Sequence, residues 1–124
     1  MRKAHPTLTT QELALMKIVW RRRTATVREV YEDLRETRRI AYTTVMTMMN
    51  VLVAKGYVTR TMDDRAFRYR PTQQERTVVT SMVREFVNRV FDGASRPLLL
   101  HLSKDRNLTP KERQELRRLI EEAE

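Results

Sequence analysis

The fold is decided by residues 41–70, which read AYTTVMTMMNVLVAKGYVTRTMDDRAFRYR. The first half of this stretch has apolar residues at helical spacing, which predicts a helix over residues 42–55 with one buried face. That face consists of Val45, Met48, Met49 and Leu52. Gly56 follows as a natural left-handed stop. The pattern then changes to alternation, which predicts a β-hairpin over residues 57–70 with its turn at residues 62–66.

Outside this stretch, a capping-box pattern occurs four times: a threonine is followed three residues later by a glutamate. It predicts helix starts at Thr9, Thr26, Thr72 and Thr109. Together with the apolar periodicity, it predicts helices over residues 10–22, 27–37, 72–92 and 110–123, and a short apolar segment over residues 95–103. The expected apolar set of the first helix is Leu13, Met16, Ile18, Val19 and Trp20.

The order helix, helix, helix, hairpin predicts a mainly α-helical chain with a small β-hairpin wing. Residues 1–71 match a winged helix-turn-helix domain, in which the third helix enters the major groove of DNA. The short stretch of residues 25–26 can add a third strand to the wing.

Residues 72–124 are expected to form a helical dimerisation domain. The apolar stripe of their first helix is too wide to be buried against a domain of roughly 70 residues, and exposed apolar surface usually marks an interface. The alternative is that these helices extend the N-terminal core. The expected interface residues are Val79, Met82, Val83, Phe86, Val90, Leu99, Leu102, Leu116, Leu119 and Ile120.

The charge of the chain indicates a polyanionic partner. Lys plus Arg number 25 against 16 Asp plus Glu, a net charge of +9, and 20 of the 25 basic residues are arginine. Residues 1–71 carry 15 basic and 7 acidic groups, whereas residues 72–124 carry 10 and 9. The cationic half is therefore expected to bind nucleic acid, and the nearly neutral half to have another role.

The outer face of the third helix has the composition of a base-reading surface. Short hydrogen-bonding side chains suit base edges, and threonine methyls can meet thymine methyls. The face contains no charge before Lys55, whereas a plain solvent-exposed helix is usually rich in Glu and Lys. The predicted base-reading residues are Thr43, Thr44, Met46, Thr47 and Asn50, with Val51 beside them.

Cations and one phenol around this face are predicted to contact phosphates. For Tyr42 a packing role is an equal alternative, and any single arginine could instead be a solvated charge, so the clustering carries the prediction. The predicted phosphate-contacting residues are Arg28, Arg38, Arg39, Tyr42, Lys55, Arg65 and Arg68. Arg60 and Arg70 belong to the same group of cations on the hairpin.

The composition also excludes several classes of function. With no Cys and only two His, the chain lacks a thiolate metal site, a cysteine nucleophile and a plausible catalytic triad, so no metal, no cofactor and no enzyme activity are expected. No apolar run reaches the roughly 18 residues of a membrane span, and the start MRKAHPTLTT lacks the apolar region of a signal peptide. A cytoplasmic protein is expected. The alternative to a sequence-specific DNA-binding protein is an architectural or protein-interaction module with the same fold.

Three stretches carry a family resemblance: LTTQELALMKIVW, AYTTVMTMMNVLVAKGYVTR and DRAFRYRP, followed by VFDGASRPLLLHLSKDRNLTPKERQELRRLIEE. The chain resembles the penicillinase repressor family, the BlaI/MecI/CopY class of transcriptional repressors, over nearly its whole length. The resemblance implies a dimeric winged-helix repressor that binds dyad operators, often with TACA/TGTA half-sites, in promoters of β-lactamase, antibiotic-resistance or stress-response genes.

The chain departs from the family pattern at two places. Family members usually carry Arg late in the recognition helix, where this chain has Val51. Antibiotic-responsive members are released when a membrane sensor protease system triggers cleavage at an Asn-Phe bond, and the matching positions here are His101 and Leu102. Either His101 tunes a response to an effector or pH, or it is an ordinary residue on an apolar helix. The cysteine motif of copper-responsive members is absent.

Overall fold

The computed structural model describes residues 7–122. Its main-chain contacts divide the chain into two compact units, Met1–Val78 and Val79–Glu124. The predicted class, mainly helical with a small hairpin, is confirmed. The elements are α1 (Thr10–Arg22), α2 (Val27–Leu34), α3 (Tyr42–Lys55), β1 (Val58–Asp63), β2 (Ala66–Pro71), α4 (Glu75–Phe91), α5 (Ser95–Leu102) and α6 (Pro110–Glu122).

The first unit is built on a core in which one face of each of the first three helices meets the base of the hairpin. The side chains that are fully shielded from solvent are Leu15, Met16, Val19, Ala25, Val30, Val45, Met49 and Leu52. The predicted stripe of α3 is therefore confirmed, with Met48 only half-buried. Leu15 was not in the expected apolar set of α1, whereas Leu13 and Trp20, which were, are half-exposed.

Reciprocal side-chain caps fix the starts of α1 and α2. The hydroxyl of Thr9 accepts a bond of 3.1 Å from the amide of Glu12, whose carboxylate accepts one of 2.9 Å from the amide of Thr9. Thr26 and Glu29 repeat this arrangement at 3.1 and 3.0 Å. Each cap satisfies amides that the first turn of a helix leaves unpaired.

The capping box predicted at Thr72 is wrong. The Thr72 hydroxyl donates to the carbonyl oxygens of Gly56 and Tyr57, at 2.8 and 3.2 Å, and α4 begins at Glu75. Gly56 is the C-cap of α3 and Tyr57 follows it, and the Tyr57 oxygen also accepts a bond of 2.9 Å from the Thr72 amide. Thr72 therefore anchors the chain to α3 instead of starting a helix.

The hairpin pairs Val58 with Pro71 and Asp63 with Ala66 in antiparallel register, which leaves a two-residue turn. At that turn Asp64 has a φ of 62°, a left-handed conformation that Asp tolerates better than most residues. The predicted third strand is a single bridge, in which Ala25 and Tyr69 exchange backbone bonds of 2.9 and 2.8 Å. β2 is consequently held on both edges at its base.

A carboxylate fastens α1 to α2. Asp33 accepts bonds from Arg22 at 2.8 and 3.0 Å and from Arg21 at 3.0 Å. The bond from Arg22 holds the pKa of Asp33 below its usual value, although burial opposes this.

The end of α2 lies just beyond Asp33, at Leu34. The predicted helix over residues 27–37 is therefore three residues too long at this end, and residues 35–37 form a turn.

The second unit contains the remainder of α4 with α5 and α6. Phe91 contacts two rings, those of Phe86 at 5.9 Å and His101 at 5.7 Å between centroids. Arg113 fixes the turn after α5, donating to the carbonyls of Ser103 and Asp105 at 2.6 and 3.0 Å. α6 starts with the predicted capping box of Thr109 and Glu112.

Much of the apolar surface of this second unit is exposed. Of the residues expected at a dimer interface, Leu116 is buried within the unit and Val79, Met82, Leu99 and Ile120 are half-buried. The exposed ones are Val83, Phe86, Val90, Leu102 and Leu119, at 41 to 50 %. None of the helices between residues 7 and 122 is long and apolar enough to cross a membrane.

Candidate nucleic-acid interface

The outer face of α3 presents the five predicted base-reading side chains to solvent. Thr43, Thr44, Met46, Thr47 and Asn50 are all exposed, whereas Val45, Met49 and Leu52 on the opposite face are buried. The two faces arise from the 3.6-residue period of the helix. Met46, at 43 % exposure, is an apolar contact among hydrogen-bonding groups, a combination that suits the mixed chemistry of a base-pair edge.

A stack of rings and guanidinium groups supports the start of α3. The ring of Tyr42 meets that of Tyr31 edge to face at 5.4 Å, Arg28 lies over the Tyr42 ring at 5.1 Å, and Arg35 lies over the Tyr31 ring at 5.3 Å. Tyr42 is half-buried and its ring packs against Tyr31, while the contact of its hydroxyl with a phosphate stays a prediction. Arg28 keeps an exposed side chain, 3.6 Å from Glu32.

A groove of about 510 Å³ separates α3 from the wing. Its walls come from the start of α2, from α3 and from both strands of the hairpin. Three of the lining side chains are arginines, Arg28, Arg60 and Arg65, and none of the described lining residues is a carboxylate. The other lining residues are Thr26, Val27, Tyr42, Met46, Asn50, Ala66, Phe67 and Tyr69. The groove is thus a cationic channel alongside the predicted base-reading face of α3.

Arg60 links the wing to α3 across this groove. Its Nη1 donates to Oδ1 of Asn50 at 2.9 Å, and its guanidinium carbon lies 4.4 Å from the centroid of the Phe67 ring. A cation over an aromatic face at an exposed site stabilises the arrangement by about 0.5–1 kcal/mol. The sequence placed Arg60 among the cations of the hairpin, but it predicted neither the contact of Arg60 with Asn50 nor a place for Phe67 in the site. The signal was available in the alternation of the hairpin, which puts Arg60, Phe67 and Tyr69 on one face once the register is known.

Two of the predicted phosphate-contacting cations are engaged inside the domain. Lys55 donates to Oε1 of Glu12 at 2.7 Å and to the Thr7 carbonyl at 3.2 Å. Arg68 contacts Asp63 at 3.2 Å and Glu29 at 3.4 Å. Both cations connect elements of the domain. Because their N–H groups already bind carboxylates, they are less available to a phosphate.

The Glu12 carboxyl shows the electrostatic effect of this arrangement. Burial raises its pKa, but the hydrogen bonds from Lys55 and Thr9 and the charge of Lys55 outweigh that effect and hold the pKa below its usual value. Glu12 is therefore ionised at neutral pH although the residue is only 8 % exposed. The pair ties the start of α1 to the end of α3.

Four predicted phosphate-contacting cations remain, and one of them, Arg28, lies 3.6 Å from Glu32. Arg38 and Arg39 lie exposed in the segment that leads into α3, and Arg65 is exposed at the turn of the wing. The structure thus brings Arg28, Arg60 and Arg65 to the groove and puts Arg38 and Arg39 before α3. Within residues 7–122, no cluster of three or more His, Asp or Glu side chains is arranged to hold a metal ion.

A winged helix with an exposed polar face on α3 and an arginine-lined groove has the arrangement of a DNA-binding domain. The family model described as Penicillinase repressor matches residues 8–122. The chain belongs to the penicillinase repressor family. Its members are transcriptional repressors and not enzymes, so the predicted class of function is confirmed.

Relatives within the penicillinase repressor family align along most of the chain. The Penicillinase repressor of Bacillus licheniformis is 28 % identical over 120 residues, which cover 97 % of this chain and 94 % of the relative. The Transcriptional regulator BlaI of Mycobacterium tuberculosis is 38 % identical over 90 residues, 72 % of this chain and 65 % of the relative.

A solved structure supports the fold of the DNA-binding half. The solution structure of monomeric Bacillus licheniformis BlaI in complex with the blaP half-operator matches with a TM-score of 0.52 at 31 % identity. The match covers 60 % of this chain and 90 % of that one. This chain is therefore a winged-helix, DNA-binding transcriptional repressor of the penicillinase repressor family.

Proposed function

We propose that the protein binds a palindromic operator as a symmetric homodimer and represses transcription by occupying the promoter. The observation that carries this proposal is the exposed, uncharged face of α3, which lies beside an arginine-lined groove. A twofold dimer presents two such helices to two half-sites, whose spacing equals one turn of DNA or a multiple of it. Genes for a β-lactamase, for antibiotic resistance or for a stress response are the proposed targets, in keeping with the family.

In this proposal the bases are read from α3. Thr43, Thr44 and Thr47 offer hydroxyls and methyls, Asn50 offers an amide, and Met46 offers an apolar contact. Such groups discriminate base pairs in the major groove, where all four pairs differ. The choice of these residues is supported by their common exposure on one helix face.

The phosphates are contacted by cations that flank that face. Arg28, Arg38, Arg39 and Arg65 are exposed and lie at the start of α2, before α3 and at the wing tip. Phosphate contacts fix the register of a protein on the duplex without reading sequence. In this proposal Lys55 and Arg68 stabilise the fold instead of contacting phosphates, because their donors already meet Glu12 and Glu29.

The dimer is proposed to form through the second unit. Its support is the row of exposed apolar side chains Val83, Phe86 and Val90 at helical spacing along α4. Leu102 of α5 and Leu119 of α6 are also exposed. Monomeric proteins rarely leave contiguous apolar surface of this kind in water.

Selection of bound duplexes from a random DNA pool, followed by sequencing, tests the proposal. An enriched palindrome is the expected result. The Thr47→Ala variant should lose preference at one base in each half-site and keep most of its affinity for unrelated DNA. Thr77→Ala, the same exchange at an exposed position of α4, is the matched control. Binding without enrichment would instead support the architectural alternative, and a uniform loss on all sequences would refute the base-reading role of Thr47.

Binding should also weaken steeply with salt. Each phosphate contact releases counterions, so the affinity should fall by orders of magnitude between about 50 and 200 mM salt. A flat response over that range would contradict DNA as the partner.

We also propose that a membrane sensor protease system releases the protein from its operator. The positions that match the family's cleavage bond, His101 and Leu102, are exposed near the end of α5. Their side chains differ from the usual Asn and Phe, so a protease that serves this chain must accept them. As a regulator of promoters, the protein is proposed to act in the cytoplasm.

A further inference from the structure

Three side chains from three different elements meet at the mouth of the groove between α3 and the wing. Asn50 comes from α3, Arg60 from β1 and Phe67 from β2. Arg60 donates to Oδ1 of Asn50 at 2.9 Å and lies over the Phe67 ring at 4.4 Å. Asn50 is one of the residues proposed to read a base. Arg60 therefore contacts a side chain that is proposed to face the DNA bases.

The chemistry of arginine determines which end of the amide faces it. A guanidinium group has only N–H donors, so its partner must be the amide oxygen. The oxygen and nitrogen of an asparagine can be assigned from such a partner. With Oδ1 bound to Arg60, the two N–H groups of Nδ2 are the part of Asn50 that remains fully available to DNA.

We infer that Arg60, held by Phe67, orients Asn50 so that it reads a base edge that accepts hydrogen bonds. The edges of this kind are guanine O6 with N7, and thymine O4. Adenine and cytosine are disfavoured, because their exocyclic amino groups need the amide oxygen, and Arg60 already uses one of its two lone pairs. Arg60 is thus a positioning residue that determines specificity. The inference rests on the proposed reading of DNA by α3.

The competing role for Arg60 is a simple phosphate contact. A phosphate contact strengthens binding to every sequence alike, whereas a positioning residue changes the preference at a single base. Arg70 provides a matched control, since it lies in the same hairpin and is paired with Thr59 on the opposite face from Arg60. Its loss removes the same charge without touching Asn50.

The test is the random-duplex selection, repeated with variants of the full chain. Asn50→Ala identifies the base position that depends on Asn50, where the unaltered protein should prefer guanine or thymine. Arg60→Ala should relax the preference at that same position by roughly tenfold. Phe67→Leu should relax it less, and Arg60→Lys should retain part of it because an ammonium also only donates. Arg70→Ala should lower the affinity for all sequences alike.

A double-mutant cycle separates positioning from general effects. In the Asn50→Ala background, Arg60→Ala should no longer alter base preference, because the group that it orients is gone. A uniform loss for Arg60→Ala, equal to that for Arg70→Ala, would overturn the inference, as would a preference for adenine at the Asn50 position in the unaltered protein. If the unaltered protein enriches no sequence, the proposed function itself fails. Thermal unfolding of each variant checks that it is folded, and Arg60→Lys tests the inference if Arg60→Ala is not.

Discussion

At the scale of single residues, Lys55 illustrates how a charge at the end of a recognition helix can belong to the protein's own structure. Its ammonium group bridges Glu12 and the Thr7 carbonyl, and the Lys55 side chain is only 23 % exposed. Removing one member of a partly buried ion pair leaves the other without a partner, which is costly. The contribution of Lys55 should therefore appear in stability and not in DNA binding.

Lys55→Met should lower the free energy of unfolding by about 2 kcal/mol, because Glu12 loses its main partner in a shielded place. The salt dependence of DNA binding should keep its slope. Arg65→Met, at the exposed wing turn, is the control and should reduce that slope by about 0.9. Urea unfolding and binding titrations at several salt concentrations measure the two quantities. A smaller slope for Lys55→Met would restore Lys55 to the phosphate-contacting set.

Glu12 and Asp33 make stability depend on acid. Both have a pKa below the usual value in the folded state, through the bonds from Lys55 and Arg22 described above. Their contribution is complete above the unfolded pKa values of about 4.3 and 3.9, and it is lost as the pH falls through the lower folded values. The free energy of unfolding should consequently decrease below about pH 5.

Urea unfolding at a series of pH values measures this decrease. Glu12→Gln should make it less steep, and Lys55→Met should do the same, since the bond from Lys55 is the largest influence that lowers the pKa of Glu12. An unchanged pH dependence in both variants would show that Glu12 does not contribute. Asp33→Asn should remove a separate part of the decrease.

At the scale of elements, the sequence predicted α3 with both ends correct. The apolar stripe set its face, and Gly56, with a φ of 87°, set its end. The end of α2 and the start of α4 were wrong for tertiary reasons. A local motif at Thr72 could not reveal that its hydroxyl reaches the carbonyls at the end of α3. Likewise, the Asn50–Arg60 contact depends on hairpin register and on packing, neither of which a local pattern contains.

Gly56→Ala should destabilise the first unit by about 1–2 kcal/mol, because an alanine pays a steric penalty in the left-handed conformation at this position. Gly56 joins α3 to β1, so the strain lies between the proposed base-reading element and the wing. Thermal unfolding gives the change in stability. Gly93→Ala, also at a left-handed position with a φ of 86°, is the companion variant in the second unit. A Gly56→Ala protein as stable as the original would mean that the chain relaxes there without cost.

At the scale of the whole molecule, the proposed repressor depends on two copies acting together. Each first unit offers one cationic groove and one proposed base-reading face, which suits a single half-site. Linking two such units raises the affinity for a full palindrome by about 10²–10⁴ without any new contact to DNA. The exposed apolar row on α4 is the surface proposed to provide that link.

Phe86→Glu should give monomers that bind the full operator about a hundredfold more weakly, because a buried charge opposes association and the joint binding of two half-sites is lost. Asn88→Glu is the control: it adds the same charge to α4, but two positions along a helix place it about 200° around the axis. Light scattering measures the mass. A dimer of unchanged mass for Phe86→Glu would move the interface elsewhere.

The backbone bridge between Ala25 and Tyr69 makes the base of the hairpin, where β1 starts and β2 ends, more rigid than the turn that joins the strands. The base is called the root below, and the turn is called the tip. Two reciprocal amide bonds fix β2 to the α1–α2 connection, whereas the Asp63–Ala66 end carries only exposed side chains beside its two-residue turn. Amide protons at the root should exchange with solvent only when the whole unit opens, while those at the tip exchange through local fraying. In such a hairpin the tip can bend to follow the sequence-dependent width of a DNA groove. The root meanwhile holds Arg60 in fixed register with α3.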